Sequence, residues 1–489
     1  MKLKEIVELL KKEELLIDSN VIVDKDINYL SYNSKDIEKD TLFFCKGKKY
    51  KEEYLTEAID KGSICYVSEN VYSRNVSYII VKDIKIAMVK IASKYYNYSF
   101  DKLETIGITG TKGKTTVTYF LKNILDEYTK SKTAVITTVE VITGTRQEEA
   151  HLTTPEALDL HKYFSEILNN NIKYLTMEIT SQAYKTNRVL DVKFKHGMFL
   201  NVSEDHISDL EHPDFNDYLN CKLQLISNVN DMIINADMDE FETVKKECKN
   251  NNVPYITYGK NEISDFRYYD VKKEDIGFSF KVQNKDKSYE NEFKIVMQGR
   301  FNIENAVAAI TMAKSLNVDD DSIKKGLLST KVQGRMNVFE KNGITAIVDY
   351  AHNRLSFSKL YESIKLDYPN RRVISLGGGP GNKAYKRRQD FAEIVGANSD
   401  YVYITAEDPQ FETVMDIAKD IIKYLPSNVK YEVIEDRTIA IEKMIRETKK
   451  GDVLVLLAKG EEDYQKVKGN FEYFESDIKI IKRLLNVKD

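Results

Sequence analysis

The chain has 489 residues, of which 42% are hydrophobic and 31% are charged, and its formal net charge is −4. This length is too great for one ordinary domain and predicts about three, while the mildly acidic balance argues against binding to nucleic acid or to acidic membrane surfaces. No apolar run reaches the length that spans a bilayer, and the opening stretch MKLKEIVELLKKEELL is typical of an amphipathic helix, not of a signal peptide. We therefore expect a cytoplasmic protein that binds neither nucleic acid nor membranes.

The strand and helix patterns predict an α/β chain of three domains. Residues 1–100 join the opening helix to short strands such as TLFFC and ICYVSE. Residues 101–333 alternate the apolar runs TAVITTV, YLTMEI, HGMFLNV and DMIINA with helical stretches, which predicts a largely parallel sheet with crossover helices. Within them, residues 266–297 alternate apolar with polar positions and predict an antiparallel hairpin. Residues 334–489 add four strand patterns and predict a Rossmann-like α/β domain, in which ligands bind at the carboxyl ends of the strands.

The segment TIGITGTKGKTT lies between an apolar strand pattern and the helical pattern VTYFLKNILDEY. A glycine-rich turn in this place can direct backbone N–H groups at a phosphate, and the helix N-terminus favours the anion. Lys114 would reach the outer phosphates, and a hydroxyl of Thr115 or Thr116 could join a Mg²⁺ shell. The eight-residue P-loop pattern is not met in full, because Ile108 replaces its first glycine. A ligand-free glycine-rich turn is the alternative, but it leaves the lysine and the two threonines unexplained. The predicted nucleotide-binding loop comprises Gly110, Thr111, Gly113, Lys114, Thr115 and Thr116.

An ordered set of motifs resembles the Mur ligases, ATP-dependent enzymes that add amino acids to a cell-wall precursor. The phosphate loop is followed by LTTPEALDLH (152–161), MEITSQAYKTNRV (177–189), NVSEDH (201–206), GRFNIENAVAA (299–309), GRM (334–336) and VDYAH (348–352). YNSKDIEKDTLFFCKG near the start and KGEEDYQ (459–465) near the end are most similar to the MurE type, which adds the third residue of the stem peptide. The resemblance covers essentially the whole chain.

The resemblance implies a reaction and a division of labour among the three domains. It implies an ADP-forming amide-bond ligase that activates UDP-N-acetylmuramoyl-L-alanyl-D-glutamate as an acyl phosphate, with ATP and Mg²⁺ as cofactors. The first domain would bind the UDP-linked precursor, the central domain ATP, and the last domain the incoming amino acid. The C-terminal domain would close on the centre about a hinge near Gln333–Arg335. The family expectation is a monomer.

Four side chains receive catalytic roles from the resemblance, namely Lys114, Glu178, His206 and Lys222. Glu178 ends the run YLTMEI and would bind Mg²⁺ together with Thr115, because this ion prefers oxygen ligands; a solvated strand-end acid is the alternative. His206 would approach a second Mg²⁺, unless it is structural or merely exposed. Lys222 matches the position that carries a carbamate made from CO₂, and a surface lysine is its alternative.

The resemblance also places four residues at the nucleotide. Asn302 and Asn305 are one helical turn apart and share a face, and they would lie by the adenine; helix capping and packing are the alternative. Arg335 would contact the ATP phosphates from the domain junction, and Asp349 would hold the ribose.

Five residues would contact the precursor by the same resemblance. Ser34 lies in the uridine-diphosphate block, where relatives more often show Asp-Ser-Arg and this chain reads Asn-Ser-Lys. Thr153, Thr154, Ser181 and Arg188 would hold the muramoyl-peptide portion. Arg188 suits a carboxylate or phosphate through the fork geometry of its guanidinium.

The amino-acid pocket departs from the pattern for diaminopimelate. Enzymes that add diaminopimelate carry Asp-Asn-Pro-Arg, whereas this chain reads EDPQ, with Glu407, Asp408 and Gln410 in place of the first two residues and the arginine. A distal carboxylate without the arginine would be left unpaired at a high free-energy cost. The two acids, with Glu462 of KGEEDYQ, would instead suit a cationic terminus, which favours L-lysine.

The α-carboxylate of the amino acid still needs a cation. Lys383 is the first candidate and Arg387 the second, although the run KRR at 386–388 could equally be a solvated helix face. Ornithine, diaminopimelate or a sulfur analogue remain alternative substrates. Folylpolyglutamate synthase shares the phosphate loop but not the uridine block. A nucleotide-binding regulatory protein without catalysis is the alternative from another functional class.

Overall fold

The computed structural model describes residues 1–22, 24–47, 50–73, 75–208, 211–332 and 336–487. Within these ranges the chain forms three successive α/β units around sheets of five, eleven and six strands. The predicted α/β class is therefore confirmed. The domain limits 1–100, 101–333 and 334–489 remain predictions, although each sheet lies within one of the three ranges. The predicted hinge at Gln333–Arg335 lies outside the described residues.

The first unit is a five-stranded sheet in the order β1-β5-β4-β3-β2. Strands β2 to β5 pair in parallel, and β1 adds an antiparallel edge. The apolar residues of the opening helix recur every three or four positions and are buried, as predicted for an amphipathic helix. The elements are α1 (Leu3–Lys12), β1 (Leu16–Asn20), β2 (Tyr29–Ser31), β3 (Thr41–Phe44), α2 (Glu52–Asp60), β4 (Ser63–Ser68), β5 (Ser77–Val81), α3 (Ile84–Tyr95) and a 3₁₀ helix (Ser99–Lys102).

The central unit has the strand order β16-β15-β14-β13-β12-β11-β6-β10-β7-β8-β9. Its middle strands pair in parallel, and β14 to β16 form the antiparallel segment predicted for residues 266–297. The elements are β6 (Glu104–Thr109), α4 (Lys114–Thr129), β7 (Ala134–Ile136), β8 (Glu140–Ile142), β9 (Gln147–Glu149), α5 (Ala157–Asn169), β10 (Tyr174–Glu178), α6 (Ser181–Lys185), β11 (Phe194–Phe199), α7 (Phe215–Ser227), β12 (Val229–Asn235), α8 (Phe241–Asn250), β13 (Tyr255–Gly259), β14 (Phe266–Lys273), β15 (Phe278–Asn284), β16 (Glu290–Ile295), α9 (Phe301–Ser315) and α10 (Asp320–Ser329).

The third unit has the strand order β17-β18-β22-β19-β20-β21. The four predicted strands are β18, β19, β20 and β22, while β17, β21 and the β23–β24 hairpin were not predicted. The elements are β17 (Asn337–Lys341), β18 (Ile344–Asp349), α11 (Arg354–Asp367), β19 (Val373–Gly377), α12 (Lys386–Asp390), a π-helix (Phe391–Val395), β20 (Tyr401–Ile404), α13 (Val414–Ile422), β21 (Lys430–Val433), α14 (Arg437–Glu447), β22 (Val453–Leu457), β23 (Tyr464–Val467), β24 (Asn470–Tyr473) and α15 (Asp477–Leu485).

Parallel pairing brings the carboxyl ends of several strands to one edge of each larger sheet. In the central sheet Glu178 is in register with Ile108, and Phe199 with Thr109, so the loops after β10, β6 and β11 adjoin. In the third unit the ends of β18, β22, β19 and β20 are aligned in the same way. In the described parts of the chain, no helix combines the length and the apolar character needed to cross a bilayer.

Candidate active site

The phosphate loop connects β6 to α4 and is fixed by neighbouring polar groups. Lys112 donates its backbone N–H to Oδ1 of Asn201 at 2.8 Å, and Asn201 donates back to its carbonyl oxygen at 3.0 Å. Gly113 has a φ of +87°, and a Cβ there would lie 2.4 Å from Oδ1 of Asn305. A side chain at Gly113 is therefore excluded by both conformation and space. Thr115 and Thr116, in the first turn of α4, are buried.

Two lysines meet at the carbonyl oxygen of Gly110. Lys114 donates to it at 2.9 Å and Lys222, from α7, at 3.0 Å. The side chain of Lys222 is 2% exposed, so the alternative of a surface lysine is wrong. Burial, with the nearby charge of Lys114, holds the pKa of Lys222 well below its ordinary value. A buried amine of this kind favours the neutral form, which is the nucleophilic one.

Glu178 is the centre of a group of oxygen ligands at the end of β10. Its Oε1 accepts hydrogen bonds from the hydroxyl of Thr115 at 2.8 Å and from the backbone N–H of Thr138 at 3.1 Å. Its side chain is buried, so the alternative of a solvated strand-end acid is wrong. A carboxylate beside a threonine hydroxyl, next to a phosphate loop, offers the hard oxygen donors that Mg²⁺ prefers. These residues therefore fit a Mg²⁺ ion.

His206 lies at the open side of the same region. It has a φ of +59°, its side chain is 43% exposed, and its Nδ1 lies 2.8 Å from Oε2 of Glu211. Its ring stacks on that of Tyr218 at 6.1 Å, and Nζ of Lys222 lies 4.6 Å from the centroid of the same tyrosine. His206 and Lys222 thus flank one aromatic ring, and the metal-binding role of His206 stays a prediction.

The two asparagines of α9 pack against the phosphate loop. Asn302 is fully buried and donates to the carbonyl oxygen of Gln298 at 2.7 Å, and it accepts a hydrogen bond from Asn305 at 3.0 Å. Asp349 accepts backbone hydrogen bonds from Met336 and Ala351, both at 2.7 Å. The predicted contacts of these residues with adenine and ribose remain predictions. Arg335 lies outside the described residues.

Three of the predicted precursor contacts, Thr153, Thr154 and Arg188, form one connected group beyond Glu178. Thr153 lies within hydrogen-bonding distance of Thr138, and Thr154 donates to the backbone carbonyl oxygen of Glu178 at 3.0 Å. Arg188 donates to the carbonyl oxygen of Thr154 at 3.1 Å. Its Nε is buried and has no hydrogen-bond partner among the described residues, which leaves a donor for an anionic ligand.

Ser34 lies in the first unit, whereas Thr153, Thr154 and Arg188 lie in the central unit. Its hydroxyl donates to Oε2 of Glu57 at 2.6 Å, and its carbonyl oxygen accepts from Lys61 at 3.0 Å. Its hydroxyl proton is therefore engaged, while the neighbouring Lys35 is exposed. A role for Ser34 in binding a uridine diphosphate stays a prediction.

Ser181 belongs to a chain of three polar side chains that the sequence analysis missed. Its Oγ lies 2.9 Å from Nε2 of His212, and Nδ1 of His212 lies 2.6 Å from Oδ2 of Asp217. His212 is fully buried, and burial lowers its pKa. The histidine and the serine are 31 positions apart, and no local pattern connects them.

The predicted acid pocket contains a lysine of the chain itself. Nζ of Lys459 lies 3.0 Å from Oδ1 of Asp408 and 2.6 Å from Oε2 of Glu462, and it is 1% exposed. Tyr350 donates its hydroxyl to the other oxygen of Glu462 at 2.6 Å. Two of the three acids therefore already have a cationic partner. The sequence could have indicated this lysine, because Lys459 is the first residue of the motif KGEEDYQ.

The third acid, Glu407, is partly buried in the loop after β20. Burial raises its pKa to about 7, and the positive charge of Arg387 opposes the shift. Gln410 has a φ of +55°, its backbone N–H donates to the carbonyl oxygen of Lys466, and its carbonyl oxygen accepts from the N–H of Lys468, both in the β23–β24 hairpin. The backbone of Gln410 thus joins the pocket loop to the hairpin.

The two cations considered for the α-carboxylate occupy different environments. Lys383 is exposed. Arg387 is mostly buried and donates to Oδ1 of Asp205, a residue of the central unit, at 2.8 Å. Arg388 is buried in ion pairs with Glu412 and an aspartate of α13. The structure therefore favours Arg387 over Lys383, and the alternative of a solvated KRR face does not hold for either arginine.

Comparisons with known proteins agree on one family. A model described as the Mur ligase middle domain matches residues 108–313, and one described as the Mur ligase, glutamate ligase domain matches residues 334–460. The UDP-N-acetylmuramoyl-L-alanyl-D-glutamate--L-lysine ligase of Enterococcus faecalis is 36% identical, with 98% of each chain covered. The UDP-N-acetylmuramyl-tripeptide synthetase of Lactococcus lactis subsp. cremoris is 38% identical, also with 98% of each covered.

Solved structures extend the similarity to the whole fold. A UDP-N-acetylmuramoyl-L-alanyl-D-glutamate--2,6-diaminopimelate ligase superposes with a TM-score of 0.65 at 19% identity, and 99% of each chain is covered. At this identity the superposition establishes the three-unit fold and leaves the choice of amino acid open.

Proposed function

The chain belongs to the Mur ligase family of ATP-dependent, ADP-forming ligases, and from this premise we propose that it joins L-lysine to UDP-N-acetylmuramoyl-L-alanyl-D-glutamate. The resemblance seen in the sequence is confirmed, and the place of the enzyme is peptidoglycan precursor synthesis. The observation that carries the proposal is the meeting of Lys114 and Lys222 at the carbonyl oxygen of Gly110, beside the buried Glu178. This arrangement combines a phosphate-binding loop with groups able to neutralise charge.

The first half-reaction is the transfer of a phosphoryl group. A carboxylate oxygen of the precursor attacks the γ-phosphorus of ATP, the bond to the β-bridging oxygen breaks, and ADP leaves with that oxygen. Such transfers depend on positioning and charge neutralisation more than on covalent help from the protein. The ammonium of Lys114, now held by the Gly110 and Thr111 carbonyl oxygens, can turn to the outer phosphates without leaving the loop. Thr111, Gly113 and Thr116 complete the loop.

Mg²⁺ would be held by Glu178 and Thr115, with His206 and Lys222 at the further site. When bound, the ion supplies neutralisation of the phosphate oxygens. Lys222 can contribute a negative charge only after modification. Its neutral amine can add to CO₂ and lose a proton, giving a carbamate that still carries one N–H for the Gly110 carbonyl oxygen.

The second half-reaction is the attack of an amine on the acyl phosphate. The lone pair of the α-amino group forms the amide bond, inorganic phosphate leaves with the bridging oxygen, and the amine gives up a proton. Arg387 would bind the α-carboxylate, and Glu407 with Asp408 and Glu462 would face the side-chain ammonium. Since Lys459 already pairs with Asp408 and Glu462, Glu407 would be the acid that receives the side-chain ammonium. Because the substrates are nucleotides, we place the enzyme in the cytoplasm, and a monomer stays a prediction.

An ADP-release assay with a panel of amino acids tests the proposal. With ATP, Mg²⁺ and UDP-N-acetylmuramoyl-L-alanyl-D-glutamate, we expect turnover with L-lysine, little with L-ornithine and less with meso-diaminopimelate, and a product heavier by one lysine residue. K114M should abolish turnover, whereas K102M, at an exposed lysine before β6, should not. Turnover with diaminopimelate alone would keep the ligase and refute the pocket. No amino-acid-dependent ADP release would favour a non-catalytic nucleotide-binding protein.

A further inference from the structure

Asp205 is a buried carboxylate that connects the central unit to the third unit. Its side chain is 2% exposed, and it lies in the loop after β11. Oδ1 accepts a hydrogen bond from Arg387 at 2.8 Å, and Oδ2 accepts one from the side chain of Asn353. Both partners belong to the third unit. Lys112 of the phosphate loop lies 3.7 Å from the same carboxylate.

Arg387 is held by this carboxylate through one end of its guanidinium. The hydrogen bond to Asp205 uses Nη2, whereas Nε is buried and has no hydrogen-bond partner among the described residues. Glu407 lies near enough to interact electrostatically with the same guanidinium. A buried N–H without an acceptor is unfavourable and calls for a ligand. A carboxylate is the acceptor that best matches an arginine fork.

We propose that Asp205 is a positioning residue. It orients the guanidinium of Arg387 so that the Nε–H, which has no partner among the described residues, binds the α-carboxylate of the incoming amino acid. This inference rests on the proposed ligase function. Asp205 acts through Arg387 and does not itself touch the amino acid, since both are negatively charged at this point. Nη2 of Arg387 would donate to Asp205, and Nε would donate to the α-carboxylate of the substrate.

The same contact connects amino-acid binding to the phosphate loop. Nζ of Lys112 lies 2.9 Å from Nε2 of His352, which follows β18 of the third unit, as well as near Asp205. The phosphate loop and Arg387 therefore share one anchoring carboxylate. Asp205 therefore holds Arg387 of the third unit next to the phosphate loop of the central unit.

A second ion pair between the same two units supplies a matched control. Arg300, beside α9, pairs with the buried Asp367 of α11 at 3.0 Å. It crosses the same junction and buries a carboxylate equally, at 2% exposure. It involves none of the pocket residues. If Asp205 served only to join the two units, loss of Asp367 should have the same effect as loss of Asp205. If Asp205 positions Arg387, loss of Asp367 should not affect amino-acid binding.

Steady-state kinetics of D205N, R387K, the double variant and D367N test the inference. We expect D205N to raise the KM for L-lysine about tenfold or more, as for loss of one partner of a buried charge pair. The KM for ATP should rise less, because Lys112 keeps its contact with His352, and the KM for the precursor should change less than about twofold. R387K should do the same, because lysine lacks the fork. The double variant should be no worse than the poorer single variant. D367N should leave the KM for L-lysine within about twofold of the wild type.

A substrate without the carboxylate gives a second readout. With L-lysinamide, the ratio of kcat/KM between wild type and D205N should fall close to one. If D205N does not fold, as shown by its thermal unfolding, D205E replaces it with the same expectations. The inference is overturned if the D205N and R387K effects multiply in the double variant, if D367N matches D205N, or if lysinamide and lysine suffer equally. A wild type without lysine-dependent ADP release refutes the proposed function instead, and is recognised before any variant is compared.

Discussion

Lys222 donates a hydrogen bond to the carbonyl oxygen of Gly110 at 3.0 Å, which places a buried amine of α7 directly behind the phosphate loop. A buried lysine normally requires a carboxylate partner, because isolation of the charged form in a protein interior is costly. The environment of Lys222 instead lowers its pKa and favours the neutral amine. That is the state from which a carbamate forms.

We predict that Lys222 carries a carbamate in the active enzyme. Incubation with ¹³C-labelled bicarbonate should give a carbamate signal in the ¹³C NMR spectrum that is absent from K222A. Removal of CO₂ from all buffers should lower kcat, and K222A should lose about 100-fold or more, as for removal of one group that stabilises transition-state charge. K249A, at an exposed lysine of α8, should match the wild type. Full activity of K222A would contradict the prediction.

Lys459 should be essential for the stability of the third unit. It is the cation between Asp408 and Glu462, and its loss leaves both largely buried acids without this partner. We expect K459M to lower the free energy of unfolding by about 3 to 5 kcal/mol, which is typical of breaking a buried ion pair. Urea denaturation measures this change.

The control for Lys459 is a more exposed pair in the same unit. Lys443 pairs with Glu432 at 2.6 Å, with 27% and 34% of the two side chains exposed. K443M should cost less than about 1 kcal/mol. The combination of K459M with D408N should recover part of the loss, because one of the facing charges disappears. Equal costs for K459M and K443M would show that the buried lysine has no special role.

The affinity for L-lysine should depend on pH through Glu407. Burial raises the pKa of this carboxyl to about 7, so it is largely protonated at pH 6 and largely ionised at pH 8. Only the ionised form attracts an ammonium, and the KM for L-lysine should therefore fall as the pH rises through 7. E407Q should abolish this slope. A wild-type slope that persists in E407Q would assign the titration to another group.

The contribution of Glu407 to the stability of the fold should decline as the pH rises, whereas its contribution to L-lysine binding should increase. Because its folded pKa exceeds its unfolded value, the folded state retains a proton that the unfolded state has lost between about pH 4.5 and 7. Stability from this group is therefore present at low pH and declines as the pH rises through that window. The difference in thermal midpoint between E407Q and the wild type should grow in favour of E407Q from pH 5 to pH 7.5.

The histidine behind Ser181 should fix the direction of its hydroxyl. Asp217 accepts the Nδ1 proton of neutral His212, so Nε2 accepts the hydroxyl proton of Ser181 and leaves the serine oxygen as an acceptor toward the peptide. D217N should raise the KM for the precursor about threefold to tenfold, in the range of a lost hydrogen bond, without changing the KM for L-lysine. The added effect of D217N on S181A should be small.

A serine at the end of α7 provides the control for this relay. Ser227 donates only locally, to the carbonyl oxygen of Gln224 at 2.9 Å. S227A should leave every kinetic constant near its wild-type value. A D217N enzyme that loses lysine and precursor affinity together would indicate a general disturbance of α7, and the relay would be discarded.

The sequence by itself determined the fold class and the family, and it located the glycine-rich turn between β6 and α4. These features are local: a strand, a glycine-rich turn and a helix follow one another within residues 104–129, and continuous apolar runs mark the parallel strands that are buried on both faces. Glu178 could be placed at a strand end for the same reason. The sequence did not predict strands β17 and β21, because they are short edge strands with exposed positions and weak apolar patterns.

Tertiary structure alone decided which charges meet. Lys459 and Asp408 are 51 positions apart, and Arg387 and Asp205 are 182 apart, so no spacing rule connects them. The sequence showed three acids and predicted a pocket for an ammonium, whereas folding supplied an internal lysine to two of them. It showed two cations for the α-carboxylate, and folding left Lys383 in solvent while it buried Arg387. The physical reason is that ion pairing depends on the packing of one unit against another, which chain-local patterns of residues do not encode.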